Sequence, residues 1–289
     1  MRHDGGDSRV SGGPKYGPAM PRALTVAGHF GELMQGRIGP DGPVALITLP
    51  CETLAVHGQA GPARGLRLHD PARLIRPGGA RRLLAMLGHD RGRFALRATM
   101  PPGGGAGAST AALVALARLA APDVPPRVLA RACLAIEGAS DPLMFPAPAR
   151  LLWASRRGDV LEVMPPPPRF EVLGGFWGEH RRTDPADTGF AYIADLLPPW
   201  RAACAGRDLP AMARLAATSA RRNLALRGPS GDPTEALAKA LGAPGFAIAH
   251  TGSARALIFA PGTVPEEGPE RLRRAGFRQV LRFRAGGRA

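Results

Sequence analysis

Apolar runs in the first hundred residues are typical of β-strands. Two such runs, at 23–38 and 43–58, flank the turn sequence GPDG at 39–42, so they predict a strand, a turn and a second strand. The segments LRLHD (66–70) and RFALRATM (93–100) predict two further short strands. Between them, ARRLLAMLGHD has the three-to-four-residue apolar spacing of a helix.

The middle of the chain changes to helical spacing after a glycine-rich loop, PPGGGAGAST (101–110). An Ala/Leu-rich helix follows this loop and ends before Pro122, and a second helix stops near Gly138. The segment ARLLWASRRGDVLEVM then predicts a hairpin that turns at 157–159. The stiff tract PPPPR (165–169) is the best candidate for a domain boundary.

Strands and helices are again mixed in the last third of the chain. Strands are predicted for the segments FEVLGGFWG, GFAIAHTGSARALIFAPG and QVLRFRA. Helices are predicted for the segments FAYIADLLPPW (190–200), DLPAMARLAATSARRNLALRG, TEALAKALGA and ERLRRAGF. Because strands and helices do not alternate regularly, the pattern favours an α+β fold. We expect a flexible tail at 1–20, an N-terminal domain at 21–164 and a C-terminal domain at 165–289.

Composition narrows the class of protein. The chain has 289 residues, of which 45% are hydrophobic and 21% charged, so it can bury a large core. Three widely spaced cysteines argue against a disulfide scaffold and against a zinc module. The sequence has no apolar run long enough for a membrane helix, and residues 1–20 lack the apolar segment of a secretory signal. These features predict a soluble, cytoplasmic protein.

The charge balance is strongly basic. Lys and Arg number 38 against 23 for Asp and Glu, which gives a formal net charge of +15. Such a charge attracts anions, including nucleotides, phosphorylated metabolites and nucleic acid. Scattered surface arginines from compositional drift are the simpler explanation. Because only 5% of the residues are aromatic and the arginines are dispersed, nucleic-acid binding is the least favoured hypothesis.

The glycine-rich loop carries the strongest candidate chemistry. Its glycines permit close approach of the backbone to a ligand, and it leads into a helix N-terminus, whose free N–H groups attract phosphate. Ser109 and Thr110 stand in the first helical turn, where hydroxyls cap the helix, bind phosphate or reach Mg²⁺. The loop lacks both the Walker A pattern and the Rossmann fingerprint. A glycine-rich linker with a Ser/Thr cap explains these residues equally well.

Three motifs, in order along the chain, resemble those of the GHMP small-molecule kinases, the family of galactokinase, homoserine kinase, mevalonate kinase and phosphomevalonate kinase. The loop PPGGGAGAST resembles the second motif, GHFGELMQG (28–36) the first and GFAIAHTGSA (245–254) the third. The segments EGASDPLMFP (137–146) and SARRN (219–223) are lesser matches. The Gly-Glu-Leu-x-Gln-Gly form resembles the branch of bacterial L-threonine kinases and propanediol-utilization kinases.

The resemblance implies a function and an architecture. The function is ATP-dependent phosphorylation of a small hydroxylated metabolite, with Mg²⁺. The branch points to conversion of L-threonine to O-phospho-L-threonine for cobalamin side-chain synthesis. The architecture is a GHMP-kinase-like α+β fold, with an N-terminal domain like the second domain of ribosomal protein S5 and a ferredoxin-like C-terminal domain. The site lies between the two domains, and the protein is expected to be a monomer or homodimer.

The same resemblance implies a role for each candidate residue. Asp141 would be the catalytic base or an electrostatic anchor for the substrate hydroxyl, and Ser109 and Glu137 would hold Mg²⁺, Ser109 thereby sharing in catalysis. The residues that would contact the substrate are Glu32, Gln35, Gly252 and Ser253. The residues that would bind ATP are Pro102, Gly103, Gly104, Gly105, Ala106, Gly107, Ala108, Ser109 and Thr110.

Several alternatives stay open at the level of sequence. The family commonly has a serine where Ala108 stands, which motivates a nucleotide-binding protein without turnover, or a kinase for a different acceptor. Asp141 precedes a proline, so it is also explained as an acidic residue of a simple turn. Glu137 is also explained as a residue on the solvent-exposed face of a helix. His29 is equally compatible with a structural role, and His250, in an apolar strand, is more typical of a core histidine.

Overall fold

The computed structural model describes residues 22–76, 78–181, 184–187 and 189–287. Within these ranges the strands are β1 (Arg22–Arg37), β2 (Val44–Gly61), β3 (Leu66–His69), β4 (Gly92–Ala98), β5 (Leu151–Ala154), β6 (Asp159–Val163), β7 (Phe170–Phe176), β8 (Gly245–Ile248), β9 (Ala254–Phe259) and β10 (Arg278–Ala285). They form one sheet in the order β10-β7-β9-β8-β1-β2-β4-β3, to which β5 adds through β2, and β6 through β5. Only β3 and β4 pair in parallel among these strands.

Seven helices cover this sheet in the described part of the chain. They are α1 (Gly79–Met86), α2 (Ala108–Ala120), α3 (Pro126–Glu137), α4 (Leu197–Ala205), α5 (Leu209–Arg227), α6 (Thr234–Ala240) and α7 (Gly268–Arg274). Local sequence sets several of their ends. Helix α3 begins with proline, whose missing N–H is not needed there, and ends at Gly138 in the left-handed conformation. Helix α5 is capped by the Asp208 carboxylate, which accepts from the Ala211 N–H.

Strand β1 is bent where the first motif lies. Its antiparallel register with β2 shifts between Ala27 and Gly28, between His29 and Glu32, and again between Glu32 and Met34. In a regular strand, residues three apart point to opposite faces, but a bulge re-aims the side chains. The irregularity therefore lets His29 and Glu32 line the same cleft.

Two apolar cores hold the sheet and helices together. The larger one surrounds α2, which packs against β1 and β2, and includes Phe30, Leu116 and Trp153. The smaller one lies among α5–α7 and β7–β9 and includes Phe246 and Leu257. Burial of the apolar face of α2 on the centre of the sheet places the N-terminus of α2 beside the bulged part of β1.

Most predicted elements are confirmed, with one correction. The helix predicted over 190–200 begins later: a 3₁₀ turn spans Ala194–Leu196 and α4 follows it. Residues 191–193 are instead hydrogen-bonded to β1. The Arg37 N–H donates to the Ala191 carbonyl, and the Ile193 N–H donates to the Arg37 carbonyl.

The α+β class is confirmed, whereas the boundary at 165 stays a prediction, and strands from both sides of it join the one sheet. The predicted tail at 1–20 lies outside the described residues. Among the residues described, no helix combines the length and apolarity that crossing a membrane requires.

Candidate active site

A cleft that is partly open to solvent lies where the glycine-rich loop meets β1. The end of α3, the turn between β5 and β6 and the turn between β8 and β9 complete its walls. The polar and charged side chains that line it are His29, Glu32, Arg76, Ser109, Thr110, Glu137, Ser140, Asp141, Ser155, Arg156, Arg181, His250 and Thr251. Most of the predicted ATP-binding residues line it too, namely Pro102, Gly103, Gly105, Ala106, Gly107, Ala108, Ser109 and Thr110.

The glycine-rich loop is shaped by left-handed backbone and fixed to β1. Gly103, Gly105 and Gly107 have φ of 75°, 75° and 69°, values that residues with side chains rarely adopt. The loop carbonyls of Ala106 and Gly105 accept from the N–H groups of His29 and Gly31, at 3.1 and 3.3 Å. Because the N-cap of α2 is a glycine, no side chain caps the helix there. The first-turn N–H groups therefore remain available for an anion.

The β8–β9 turn rests on this loop with no room between them. The Ser253 and Ala254 N–H groups both donate to the Gly104 carbonyl, at 3.0 and 2.9 Å. A Cβ on Gly252 would lie 2.2 Å from the Gly105 nitrogen. Gly252 lines a second, adjoining cavity, whereas the buried Ser253 hydroxyl lies 2.7 Å from His180 Nδ1. The third motif thus supports the loop through its backbone.

Ser109 and Glu137 meet across the ends of two helices. The Ser109 hydroxyl donates to Glu137 Oε2 at 2.9 Å, which joins the start of α2 to the end of α3. Hydroxyl and carboxylate oxygens beside a phosphate site are the donor set that Mg²⁺ prefers. The pair fits a divalent cation held next to the N-terminus of α2.

Asp141 lies in the loop after α3, beside the first turn of α2. Its backbone N–H donates to the Thr110 hydroxyl at 3.3 Å, and its Oδ2 lies 3.3 Å from His29 Nε2. The side chain keeps 23% of its surface exposed, so a ligand in the cleft can reach it. Burial tends to raise the pKa of this carboxyl, but His29 and Thr110 outweigh it and hold the pKa below the usual value.

His29 and Glu32 form a buried pair behind Asp141. His29 Nδ1 lies 3.6 Å from Glu32 Oε1, and both side chains are almost fully buried. Burial opposes a charge on His29, yet the carboxylates of Asp141 and Glu32 raise its pKa to about 9. Burial, partly offset by His29, raises the pKa of Glu32 to about 8. Sequence reasoning left His29 equally compatible with a structural role, and the structure puts it in contact with Asp141.

Gln35 lies one layer behind the cleft. Its side-chain amide donates to the Ile248 carbonyl at 2.9 Å, and its Oε1 lies 3.1 Å from His250 Nδ1. Its backbone bonds to the side chains of Ser219 and Asn223 of α5. Among the residues described, Gln35 does not line the cleft, so it braces β1 against β8 and α5.

His250 and Arg156 close the far side of the cleft. Arg156 Nη1 lies 2.9 Å from His250 Nε2, and the His250 ring stacks on Phe190 with ring centroids 4.0 Å apart. Burial holds the pKa of His250 well below its usual value, and the positive charges of Arg156 and Arg227 lower it further. The imidazole is therefore neutral, and its Nε2 accepts a hydrogen bond donated by Arg156. Nothing in the sequence distinguished Arg156 from the many other arginines.

Comparison with known proteins supports the predicted fold through structure rather than sequence. No family model matches the chain, and no curated protein matches it in sequence. The mevalonate kinase of L. major, solved with R-mevalonate, superposes with a TM-score of 0.65 at 13% identity, covering 93% of this chain and 98% of that one.

Two further kinases give similar values. The phosphomevalonate kinase of Streptococcus pneumoniae has a TM-score of 0.63 at 11% identity, covering 93% and 100% of the two chains. The homoserine kinase of Cytophaga hutchinsonii has a TM-score of 0.63 at 15% identity, covering 95% and 97%. The GHMP-kinase-like fold is therefore confirmed.

Proposed function

We propose that this protein is an ATP-dependent kinase that phosphorylates a hydroxyl of a small metabolite. The observation that carries the proposal is a single cleft that holds three parts of such a site. These parts are the uncapped N-terminus of α2, the Ser109–Glu137 oxygen pair and the ionised Asp141. The fold shared with three small-molecule kinases supports the same reaction class.

The residues present fit a magnesium–nucleotide complex. The loop at 102–110 offers backbone N–H groups and left-handed glycines that leave room for phosphate. Ser109 and Glu137 would hold Mg²⁺. Bound Mg-ATP would supply the phosphoryl group and neutralise the charge that develops on it. We propose these residues as the cofactor site.

The remaining residues act on the acceptor. Asp141 would accept the hydroxyl proton of the acceptor as the oxygen becomes a phosphate ester, and would orient that hydroxyl beforehand. Glu32 lines the same cleft, and this position supports the proposal that its side chain faces the acceptor. Gln35, Gly252 and Ser253, which we also propose for the substrate side, would act by holding the surrounding backbone.

Arg156 supports an acceptor that carries a carboxylate. Its Nη atoms bond to Ser155, His250 and the Asp187 carbonyl, at 2.8, 2.9 and 3.1 Å. Its buried Nε has no hydrogen-bond partner among the described residues. Arg156 also lines the cleft, where its positive charge would attract a substrate carboxylate. We therefore propose an amino acid as acceptor, with L-threonine first, as the first motif implies.

Homoserine is the second candidate acceptor. Like L-threonine, it is an amino acid with one hydroxyl, and the homoserine kinase of Cytophaga hutchinsonii shares the fold. A monomer or homodimer, a cytoplasmic location, and the absence of nucleic-acid binding stay predictions from the sequence.

The test is ADP release from Mg-ATP by the purified protein with L-threonine, homoserine, L-serine or L-threoninol, the last of which lacks the carboxylate. We expect stimulation by an amino acid and a rise in its KM of about 10-fold or more in Arg156→Met, as loss of a charge-assisted hydrogen bond predicts. The KM for L-threoninol should change little in Arg156→Met, because this compound has no carboxylate to contact the arginine. Arg157→Met, one residue along and exposed, is the matched control. Failure of every acceptor to stimulate ADP release would contradict the proposed function.

A further inference from the structure

The imidazole of His29 bridges two carboxylates at the base of the cleft. Its Nε2 faces Asp141 Oδ2 at 3.3 Å and its Nδ1 faces Glu32 Oε1 at 3.6 Å. His29 and Glu32 keep only 3% and 2% of their surface. Neither Nδ1 of His29 nor either carboxylate oxygen of Glu32 has a hydrogen-bond partner among the residues described. These atoms therefore interact through the close approach of the imidazole and the carboxyl group rather than through a hydrogen bond.

The ring of His29 is fixed in place by the start of α2. A Cβ on Gly107 would lie 2.5 Å from His29 Cδ2 and 2.9 Å from Nε2. The imidazole thus packs against the helix N-terminus where only glycine fits. The His29 backbone is held as well, since its N–H donates to Ala106.

We propose that His29 is a positioning residue for the kinase reaction: it holds the Asp141 carboxylate ionised and oriented toward the acceptor hydroxyl, and Glu32 holds the imidazole. The inference rests on the proposed function for its catalytic consequence. The ion pair itself is a property of this chain and can be measured without turnover.

The neighbouring charged groups are consistent with this arrangement. At neutral pH the raised pKa of His29 leaves its imidazole protonated, so its positive charge balances the negative charge of ionised Asp141. His250, the other histidine of the cleft, is neutral and cannot replace it. Arg156 also stabilises ionised Asp141, but it lowers the pKa of that carboxyl less than His29 does.

The kinetic test replaces His29 by glutamine, which fills similar space without a charge. We expect kcat to fall by up to about 100-fold, since a misplaced reacting group costs about that much, while KM for ATP stays within about 2-fold of the wild-type value. The pH profile of kcat is the readout that a structural role would not move. Its acidic limb should shift to higher pH, because loss of the cation raises the pKa of Asp141.

The wild-type profile should also have a basic limb near pH 9, and His29→Gln should lack it. His57→Gln, at an exposed histidine of β2, is the matched control and should leave both limbs unchanged. An unchanged profile in His29→Gln would overturn the proposal.

A second measurement separates this inference from the proposed function and from misfolding. The seven histidines can be followed by ¹⁵N NMR during a pH titration of the full-length wild-type protein. We expect one imidazole, assigned as the signal lost in His29→Gln, to stay protonated above pH 8, and to titrate at lower pH in Asp141→Asn. Neutral His29 at pH 7 would refute the ion pair. If the ion pair is present but no acceptor stimulates ADP release, only the proposed function fails.

Discussion

Replacement of Gly252 by alanine isolates the contact between the third motif and the glycine-rich loop. The new methyl carbon would lie 2.2 Å from the Gly105 nitrogen and 2.4 Å from the Gly104 carbonyl carbon, both of them backbone atoms that no rotamer change can move. Relief to 3.4 Å, where ordinary contact begins, requires the two segments to separate by about 1.2 Å. The φ of Gly252 lies outside the left-handed region, so the effect is steric.

The separation weakens two hydrogen bonds. The Ser253 and Ala254 N–H groups donate to Gly104 at 3.0 and 2.9 Å, and an added 1 Å or so takes both beyond bonding distance. Each such bond contributes about 0.5–1.5 kcal/mol, and overpacking alone typically costs about 1–3 kcal/mol. Since separation relieves part of that strain, we expect a net loss of about 2 kcal/mol. In a protein of 289 residues that loss lowers Tm by about 3 °C.

Thermal unfolding and nucleotide affinity test this prediction together. Gly252→Ala should lower Tm as stated and weaken Mg-ATP binding by about 10-fold, because displacement of the loop misplaces its phosphate-binding N–H groups. Gly65→Ala is the matched control, since a Cβ there meets nothing within 4 Å and the φ of Gly65 lies outside the left-handed region. If the two variants unfold and bind nucleotide alike, the loop and turn are not in the contact described.

Three further predictions concern metal, charge and pH. Ser109→Ala removes the hydroxyl beside Glu137 and should raise the Mg²⁺ concentration for half-maximal rate by about 10-fold in a magnesium titration. Arg255→Met leaves Asp232, whose side chain is only 5% exposed, without its ion-pair partner and should cost about 3–5 kcal/mol in urea unfolding, part of which Asp232→Asn restores in the double variant. Because folding raises the pKa of His29 from 6.5 to about 9, the stability it contributes is complete below pH 6.5 and lost as pH rises through about 9. Tm should therefore fall across that window, and less so in His29→Gln.

Local signals in the sequence accounted for most elements of the fold. The turn GPDG separates β1 from β2, and the glycine-rich loop ends where α2 begins. The segment 190–193 departed from prediction because its backbone bonds to Arg37, a partner about 150 positions away that no local pattern encodes. The bulges of β1 likewise depend on pairing with β2 and β8.

The candidate site divides in the same way. Motifs identified Ser109, Glu137 and Asp141, which the structure brings into one cleft. His29 and Arg156 could not be assigned from sequence, since the role of each depends on a side chain far along the chain. His29 meets Asp141 only because β1 and the loop after α3 converge, and Arg156 meets His250 from another strand pair.

The most direct test of phosphoryl transfer at Asp141 is ³¹P NMR of the protein incubated with Mg-ATP and L-threonine. A phosphomonoester resonance should appear together with ADP, and both should be absent with Asp141→Asn that still binds nucleotide. If a new phosphomonoester forms with homoserine and not with L-threonine, the proposed reaction class holds and homoserine is the acceptor. Equal product formation by wild type and Asp141→Asn would contradict the central role given to this carboxylate.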